Sequence, residues 1–429
     1  MDAVEILPGK LSGVIKAVPS KSFSHRAIIC GALSGGKSEI SNLIFSQDVL
    51  ATINGVKELG ANINICHDKV IINNFDKNNF FNKNNFKISI DCLDSGSTLR
   101  FLIPVISALG KNVIFKRSLN LSKRPILELL ETLSKSGIKF KMFDDLSLEI
   151  DGVLKPGRFL ISGNISSQFV SGLLMALPIL KGDSEIKLTS KLKSLQYVFM
   201  TMDVMKQYGV DIKKTADGFF IKGNQKYKPT NYVVEGDWSQ AAFFMAAGAM
   251  GKKITITGLN KDSIQGDKKI CEILSKFGAD VSCKNGNTIV KPSKLVGINI
   301  DASDILDIVP VLSVVAASSK GETNITNIEG LKFKECDRLE AIYQELKCLG
   351  VDIKKTKSTL TILGKEKMHG GKVWSHNDHR MAMALSIMSE NLTEKIIIIN
   401  ANCVKKSYPN FFEEFNLMGG KASVIDLGK

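Results

Sequence analysis

Apolar residues along this chain gather into helix-length runs, each opened by a small or acidic polar residue. The six openings are Ser22, Ser95, Ser166, Asp237, Asp307 and Asp378, at intervals of 73, 71, 71, 70 and 71 residues. Between them recurs a second motif, an apolar helical turn that closes on Gly60, Gly137, Gly209, Gly278, Gly350 and Gly419. Glycine there predicts a helix C-cap, and the residues that follow (N-I-N-I, D-I-K-K, D-V-S-C) read as strands. Two interleaved periods of about 70 residues mean six copies of one unit. Each unit holds two helices and several strands, most economically βαββαβ. Helix starts carry free N–H groups and partial positive charge, so aligned starts predict an anion site.

Short β-rich runs such as S-E-I-K-L and K-I-T-I-T-G follow the first helix of each unit. Six units allow one ring or two three-unit domains. A seam falls near residue 235, where V-V-E-G-D-W-S follows the polar stretch N-Q-K-Y-K-P-T-N. A first strand within about residues 4–15 is expected to pair with the C-terminal half. The low-complexity stretch 73–86, rich in Asn and Phe, reads as a solvated loop or hairpin insertion.

Size agrees with the two-domain reading, because 429 residues exceed what one core usually encloses. With 44% hydrophobic and 23% charged residues the chain reads as an ordinary soluble protein. No apolar run reaches the roughly 18 residues that span a bilayer. The first residues lack the layout of a signal peptide, so the cytoplasm is expected. None of the eight cysteines forms C-x-x-C, which argues against a zinc ribbon or a dithiol redox motif. The net charge of +14 fits a small anionic substrate, nucleic acid or solubility alone.

Several polar clusters carry candidate chemistry. F-K-E-C-D-R-L-E (333–340) brings Lys334, Glu335 and Arg338 together, offering proton transfer and anion binding at the start of a second-type helix. S-H-N-D-H-R (375–380) holds His376 and His379 around Asp378. A metal site is disfavoured there, because no third ligand follows at helical spacing and Arg380 adds positive charge; an anion contact by His379 and Arg380 fits better. S-K-S-F-S-H-R (20–26) places Lys21, Ser22 and Arg26 on one helix start, and D-S-G-S-T-L-R (94–100) repeats the design with Gly96 and Arg100. Ser166, Ser167 and Gln168 present uncharged donors at the third start. Arg124 precedes Pro125, which suits the first position of a second-type helix. Neither a P-loop nor a Rossmann fingerprint is present, so no nucleotide cofactor is indicated. Cations at helix starts favour a compact multianionic ligand over a polymer.

These segments resemble, in order and over nearly the whole chain, the motifs of the 3-phosphoshikimate 1-carboxyvinyltransferase (EPSP synthase) family. The residues that carry the likeness are S-K-S-F-S-H-R, D-S-G-S-T-L-R, S-K-R-P, S-S-Q-F, S-L-Q-Y, K-E-C-D-R and N-D-H-R-M-A-M-A. The resemblance implies an α/β fold of two globular domains, each of three βαββαβ units, in the inside-out α/β barrel of the enolpyruvyl transferases. Residues 1–18 and 235–429 would form the first domain and 19–234 the second, with the active site in the cleft between them. It further implies transfer of the enolpyruvyl group of phosphoenolpyruvate to the 5-hydroxyl of shikimate 3-phosphate through a tetrahedral intermediate, with release of phosphate. That is a step of aromatic amino-acid biosynthesis that needs no cofactor or metal. Asp307 is then the expected base, Glu335 the proton partner of the methylene carbon and Lys21 a neutraliser of developing charge, with His379 beside the reacting centre. Ser22, Arg26, Ser166, Ser167, Gln168, Ser194, Tyr197, Asp307 and Lys334 would hold shikimate 3-phosphate. Lys21, Gly96, Arg124, Gln168, Arg338, Arg380 and Lys406 would hold phosphoenolpyruvate. The partners expected are these two small molecules, acting on a monomer without nucleic acid or membrane.

Asp94, His25, Lys332 and Cys336 depart from common family residues, and Asp94 adds negative charge near the expected donor pocket. A UDP-N-acetylglucosamine enolpyruvyltransferase would share the fold, but its hallmark cysteine is missing from 110–126. A basic nucleic-acid clamp would leave Asp307 and Glu335 without a task, and aromatic interleaving is absent.

Overall fold

The computed structural model describes residues 2–75 and 88–426. From residue 76 on, the low-complexity stretch expected to be a loop or hairpin insertion lies outside the described residues. The described residues contain six four-stranded sheets with one wiring. An edge strand runs parallel to an inner strand, and the remaining two strands continue antiparallel. In one stretch the order is strand Asn299–Asp301, helix Val309–Ala317, strand Glu322–Thr326, helix Arg338–Cys348 and the hairpin Asp352–Lys355, Thr359–Leu363. Two helices and four strands are the expected content. The order, however, is βαβαββ, with the hairpin after the second helix instead of between the two. The parallel pair needs a crossover, which the first helix supplies.

The chain divides into two compact units, Met1–Val18 with Glu235–Lys429, and Pro19–Val234. Strand exchange accounts for the broken numbering. Gly13–Lys16 pairs in parallel with Ile254–Thr257, whereas Asn231–Val233 pairs in parallel with Ser38–Ser41. Asp2–Ile6 lies between Ile396–Ile399 and Ala422–Asp426 and completes the last sheet. The single strand expected near residues 4–15 is therefore two strands. Pro8 stands in the gap between them, where no ladder hydrogen bond is required of it.

In each unit some helices are enclosed and others keep an exposed face, as Arg338–Cys348 does. Trp238–Met250, Val309–Ala317 and His379–Ile387 are buried on every face and pack against one another. In the other unit Gly96–Leu109 packs on Ser167–Ala176. A helix apolar all round must be enclosed, whereas a strand such as Glu322–Thr326 alternates buried and accessible residues and can face water on one side. The six motif glycines all have positive φ, between 77° and 109°, the backbone state that ends a helix and favours glycine. Among the described residues, no helix is long and apolar enough to cross a membrane.

Four of the six expected helix starts are true caps. Ser95, Ser166, Asp237 and Asp378 accept hydrogen bonds from the backbone N–H groups of Thr98, Gln168, Gln240 and Arg380. The other two need correction. Ser22 is the second residue of helix Lys21–Leu33, and Asp307 sits in a 3-10 turn, Leu306–Ile308, ahead of Val309–Ala317. Pro125 does not open a helix either; Leu127–Ser134 begins two residues later, after Ile126. Lys334 likewise closes a 3-10 turn, leaving Arg338 to open the Arg338–Cys348 helix.

Candidate active site

In the unit that contains the C-terminal half, Asp307 is freed from capping and turns to cations. Its Oδ1 accepts from Arg338 Nη1 at 2.8 Å and lies 3.0 Å from Lys334 Nζ and 3.8 Å from Arg380 Nε. The guanidinium of Arg338, fully buried, also donates to Glu335 Oε2 at 2.6 Å and to Asp378 Oδ2 at 2.7 Å. Burial opposes that charge, but Asp378, Glu335 and Asp307 outweigh it and raise the Arg338 pKa further. Arg338 is thus a fixed cation. Arg380 donates through Nη1 to the Asp307 carbonyl at 3.1 Å, and Lys406 Nζ to the Asn377 carbonyl at 2.8 Å. His379 is buried beside them, its Nδ1 3.8 Å from Asp378 Oδ1.

Two further groups adjoin this cluster. Cys336 hydrogen-bonds Asp378 at 3.6 Å, and burial pushes its thiol well above the usual range, which makes it a poor nucleophile. Asp267 accepts from Ser239 Oγ. Burial, then the charge of Asp307, pushes its carboxyl up to about 6, while Arg380 pulls it down. Lys332 instead lies over the Phe333 ring at 4.7 Å.

The other unit carries a second constellation. Lys21 pairs with Asp48 at 2.8 Å, both largely shielded from solvent. Arg26 is buried and, among the described residues, donates to neutral oxygens: Thr201 Oγ1 at 2.7 Å, the Ser22 carbonyl at 2.7 Å and the Tyr197 carbonyl at 3.0 Å. Burial lowers its pKa to about 10, and no carboxylate among the described residues is paired with it to offset that. Ser194, in left-handed backbone (φ 54°), precedes the Leu195–Gln207 helix that supplies Tyr197. Gln168 accepts from Arg100 at 2.8 Å and donates to Ser97 at 2.9 Å, so Arg100 is occupied by internal partners. Ser167 opens the helix that Ser166 caps.

Gly96 has a steric reason. A Cβ there would lie 2.7 Å from Arg124 Nη1, so glycine lets that guanidinium rest over the helix start. Asp94 accepts from Ser118 Oγ, which ties it to the turn leading toward Arg124. His25 is buried with Nδ1 2.6 Å from Thr52 Oγ1, and the chain continues through Thr98 to Ser95. Burial, then Lys21 and Arg26, holds its pKa well below the ordinary value, so this imidazole is neutral.

Each unit therefore gathers its own share of the expected residues: Lys21, Ser22, Arg26, Gly96, Arg124, Ser166, Ser167, Gln168, Ser194 and Tyr197 in one, Asp307, Lys334, Glu335, Arg338, His379, Arg380 and Lys406 in the other. Sequence reasoning missed Asp48 and Asp267, and it named Asp378 as a helix start and as a member of a disfavoured metal cluster, not as a partner of Arg338. Asp48 follows Lys21 by 27 residues on a different helix, so no local motif connects them. Among the described residues, no three His, Cys, Asp or Glu side chains form a metal site.

A family model described as EPSP synthase (3-phosphoshikimate 1-carboxyvinyltransferase) matches residues 7–415. A 3-phosphoshikimate 1-carboxyvinyltransferase of Clostridium perfringens is 49% identical over 423 residues, covering 98% of this chain and 99% of that protein. One of the same name from Clostridioides difficile is 46% identical, with both chains covered in full. Among solved structures, EPSP synthase from Acinetobacter baumannii aligns with a TM-score of 0.83 at 26% identity, covering 99% of this chain and 100% of that one. The enolpyruvyl transferase NikO from Streptomyces tendae shares the fold, with a TM-score of 0.79, 17% identity and 99% of each chain covered.

Proposed function

Given that this chain belongs to the EPSP synthase (3-phosphoshikimate 1-carboxyvinyltransferase) family and transfers the enolpyruvyl group of phosphoenolpyruvate to the 5-hydroxyl of shikimate 3-phosphate, we propose that both constellations serve that one reaction. The observation that carries this reading is Arg338, one buried guanidinium joined to both Asp307 and Glu335. Two carboxylates held by one cation suit paired proton transfers. Asp307 takes the proton of the attacking 5-hydroxyl as its oxygen bonds to C2 of phosphoenolpyruvate. Glu335 supplies a proton to C3, giving the tetrahedral adduct. Glu335 then takes a proton back from the C3 methyl as the C2–O bond to phosphate breaks, which restores the double bond, and the proton held by Asp307 passes to the departing phosphate.

The cations divide between the substrates. Ser22, Arg26, Ser166, Ser167, Gln168, Ser194, Tyr197 and Lys334 bind shikimate 3-phosphate, for which the buried charge of Arg26 is a strong attractor. Lys21, Gly96, Arg124, Gln168, Arg338, Arg380 and Lys406 bind phosphoenolpyruvate. Lys21 exchanges its Asp48 contact for the developing charge, and His379 lies beside the reacting carbon. The reading includes a single copy of the chain, in the cytoplasm. Inorganic phosphate release, assayed with each substrate alone and with both, tests it. Release only with both is expected; equal release from phosphoenolpyruvate alone would refute an ordered transfer to the hydroxyl.

A further inference from the structure

The loop between strand Gly371–Trp374 and helix His379–Ile387 carries a feature that the reaction as described leaves unused. His376 and Asn377 both have left-handed backbone, φ 52° and 56°, a conformation uncommon outside glycine that His and Asn tolerate better than most residues, and here side-chain contacts hold two of them in succession. The contacts that hold it are explicit. His376 Nε2 lies 2.6 Å from Glu345 Oε1, and the other oxygen of Glu345 accepts from the Trp374 N–H at 2.9 Å. A carboxylate only accepts, so Nε2 carries the proton. The Trp374 indole lies against the His376 ring, centroids 4.2 Å apart. Ser375 Oγ accepts from the Asn377 N–H at 3.1 Å and donates to the Asn400 carbonyl at 3.0 Å.

Glu345 lies seven residues after Arg338 on the Arg338–Cys348 helix, two turns along one face. That helix therefore grips the loop twice, through Arg338 on Asp378 and through Glu345 on His376. Between the two grips, the Asn377 carbonyl receives Lys406 Nζ, and Asp378 caps the helix that opens with His379 and Arg380. The loop is the frame from which three cations are hung.

We infer that the His376–Glu345 pair is a positioning clamp for the donor substrate. By fixing the 375–378 backbone it sets where Lys406, Arg380 and Arg338 present their charges together. His376 is a positioning residue that acts through those side chains. The inference rests on the assignment of those cations to phosphoenolpyruvate.

Steady-state kinetics of His376→Asn, His376→Gln and Glu345→Gln, with Lys406→Ala as reference, test it. Asparagine tolerates left-handed backbone but is too short to reach Glu345; glutamine can still donate there. His376→Asn should raise KM for phosphoenolpyruvate roughly tenfold and KM for shikimate 3-phosphate less than about twofold. His376→Gln should recover most of the loss. Glu345→Gln leaves the loop sequence intact and accepts from only one of its two donors, so it must raise the same constant even if His376→Asn does not fold. Equal changes in both KM values, or no difference between the Asn and Gln variants, would overturn the clamp. If Lys406→Ala raises KM for phosphoenolpyruvate while the clamp variants do not, the clamp alone is wrong. If Lys406→Ala leaves it unchanged, the binding assignment fails first and the clamp with it.

Discussion

At the residue scale, chemistry concentrates on side chains whose partners come from distant parts of the sequence. Asp307 reaches Arg338 across 31 residues, and Arg338 reaches Asp378 across 40. Asp307→Asn and Glu335→Gln should lower kcat by a factor on the order of a hundred or more while both KM values move little, because proton transfer is lost and shape is kept. Parallel losses in kcat and KM would contradict those roles. Arg124→Ala should mainly raise KM for phosphoenolpyruvate. Gly96→Ala should act in the same direction, because its Cβ would stand 2.7 Å from the Arg124 guanidinium; an unchanged donor KM in that variant would disprove the steric coupling. Lys21, Glu335 and Arg380 were legible because they belong to ordered motifs. Asp48 was not, since its pairing with Lys21 exists only once two helices are packed. Asp94 carries the charge that the sequence announced, and the structure joins it to Ser118, a partner that no pattern indicated.

At the scale of elements, helix ends decide the site, and two of them differ from the pattern. The glycines of the second period all adopt the backbone state that the sequence implied, because the αL cap is a local property. Asp307 fails as a cap because nearby cations outcompete backbone N–H groups for its carboxylate. The βαβαββ order was hidden for a similar reason, since strand partners are not local. A further consequence concerns Glu390, which ends the turn Met388–Glu390. It is buried, accepts from the Leu11 N–H at 2.7 Å and leaves Oε2 without a partner among the described residues. A Cβ on Gly251 would lie only 1.8 Å from that oxygen, so glycine makes room for it. Burial pushes this carboxyl up to about 8, against the Leu11 hydrogen bond and the charges of Lys10 and Lys252. The folded chain therefore holds a proton that the unfolded chain releases near 4.5. Its stabilising contribution is full below that value and is lost as pH rises toward 8, by an amount on the order of a few kcal/mol. Glu390→Gln should flatten the decline of Tm between pH 5 and 8. Parallel curves for variant and parent would exclude Glu390 as the titrating group.

At the scale of the whole molecule, two periods in the sequence announced six units, and the described residues contain six sheets of identical wiring. Strand exchange was only half visible. The expected pairing of the first strand with the C-terminal half is present, but as two strands in two different sheets. The expected ligands divide as the expected bounds imply, ten positions in one unit and seven in the other; what no pattern could supply are the ion pairs inside each set, Lys21 with Asp48 and Arg338 with Asp307. If one phosphoenolpyruvate is held by both sets, removing a cation from either must weaken it. The most direct test is KM for phosphoenolpyruvate at saturating shikimate 3-phosphate in Arg124→Ala, Lys406→Ala and the double variant. Each single change should raise it at least about tenfold, and the double change further still. A donor KM that responds to only one of the two would contradict the assignment of both Arg124 and Lys406 to phosphoenolpyruvate.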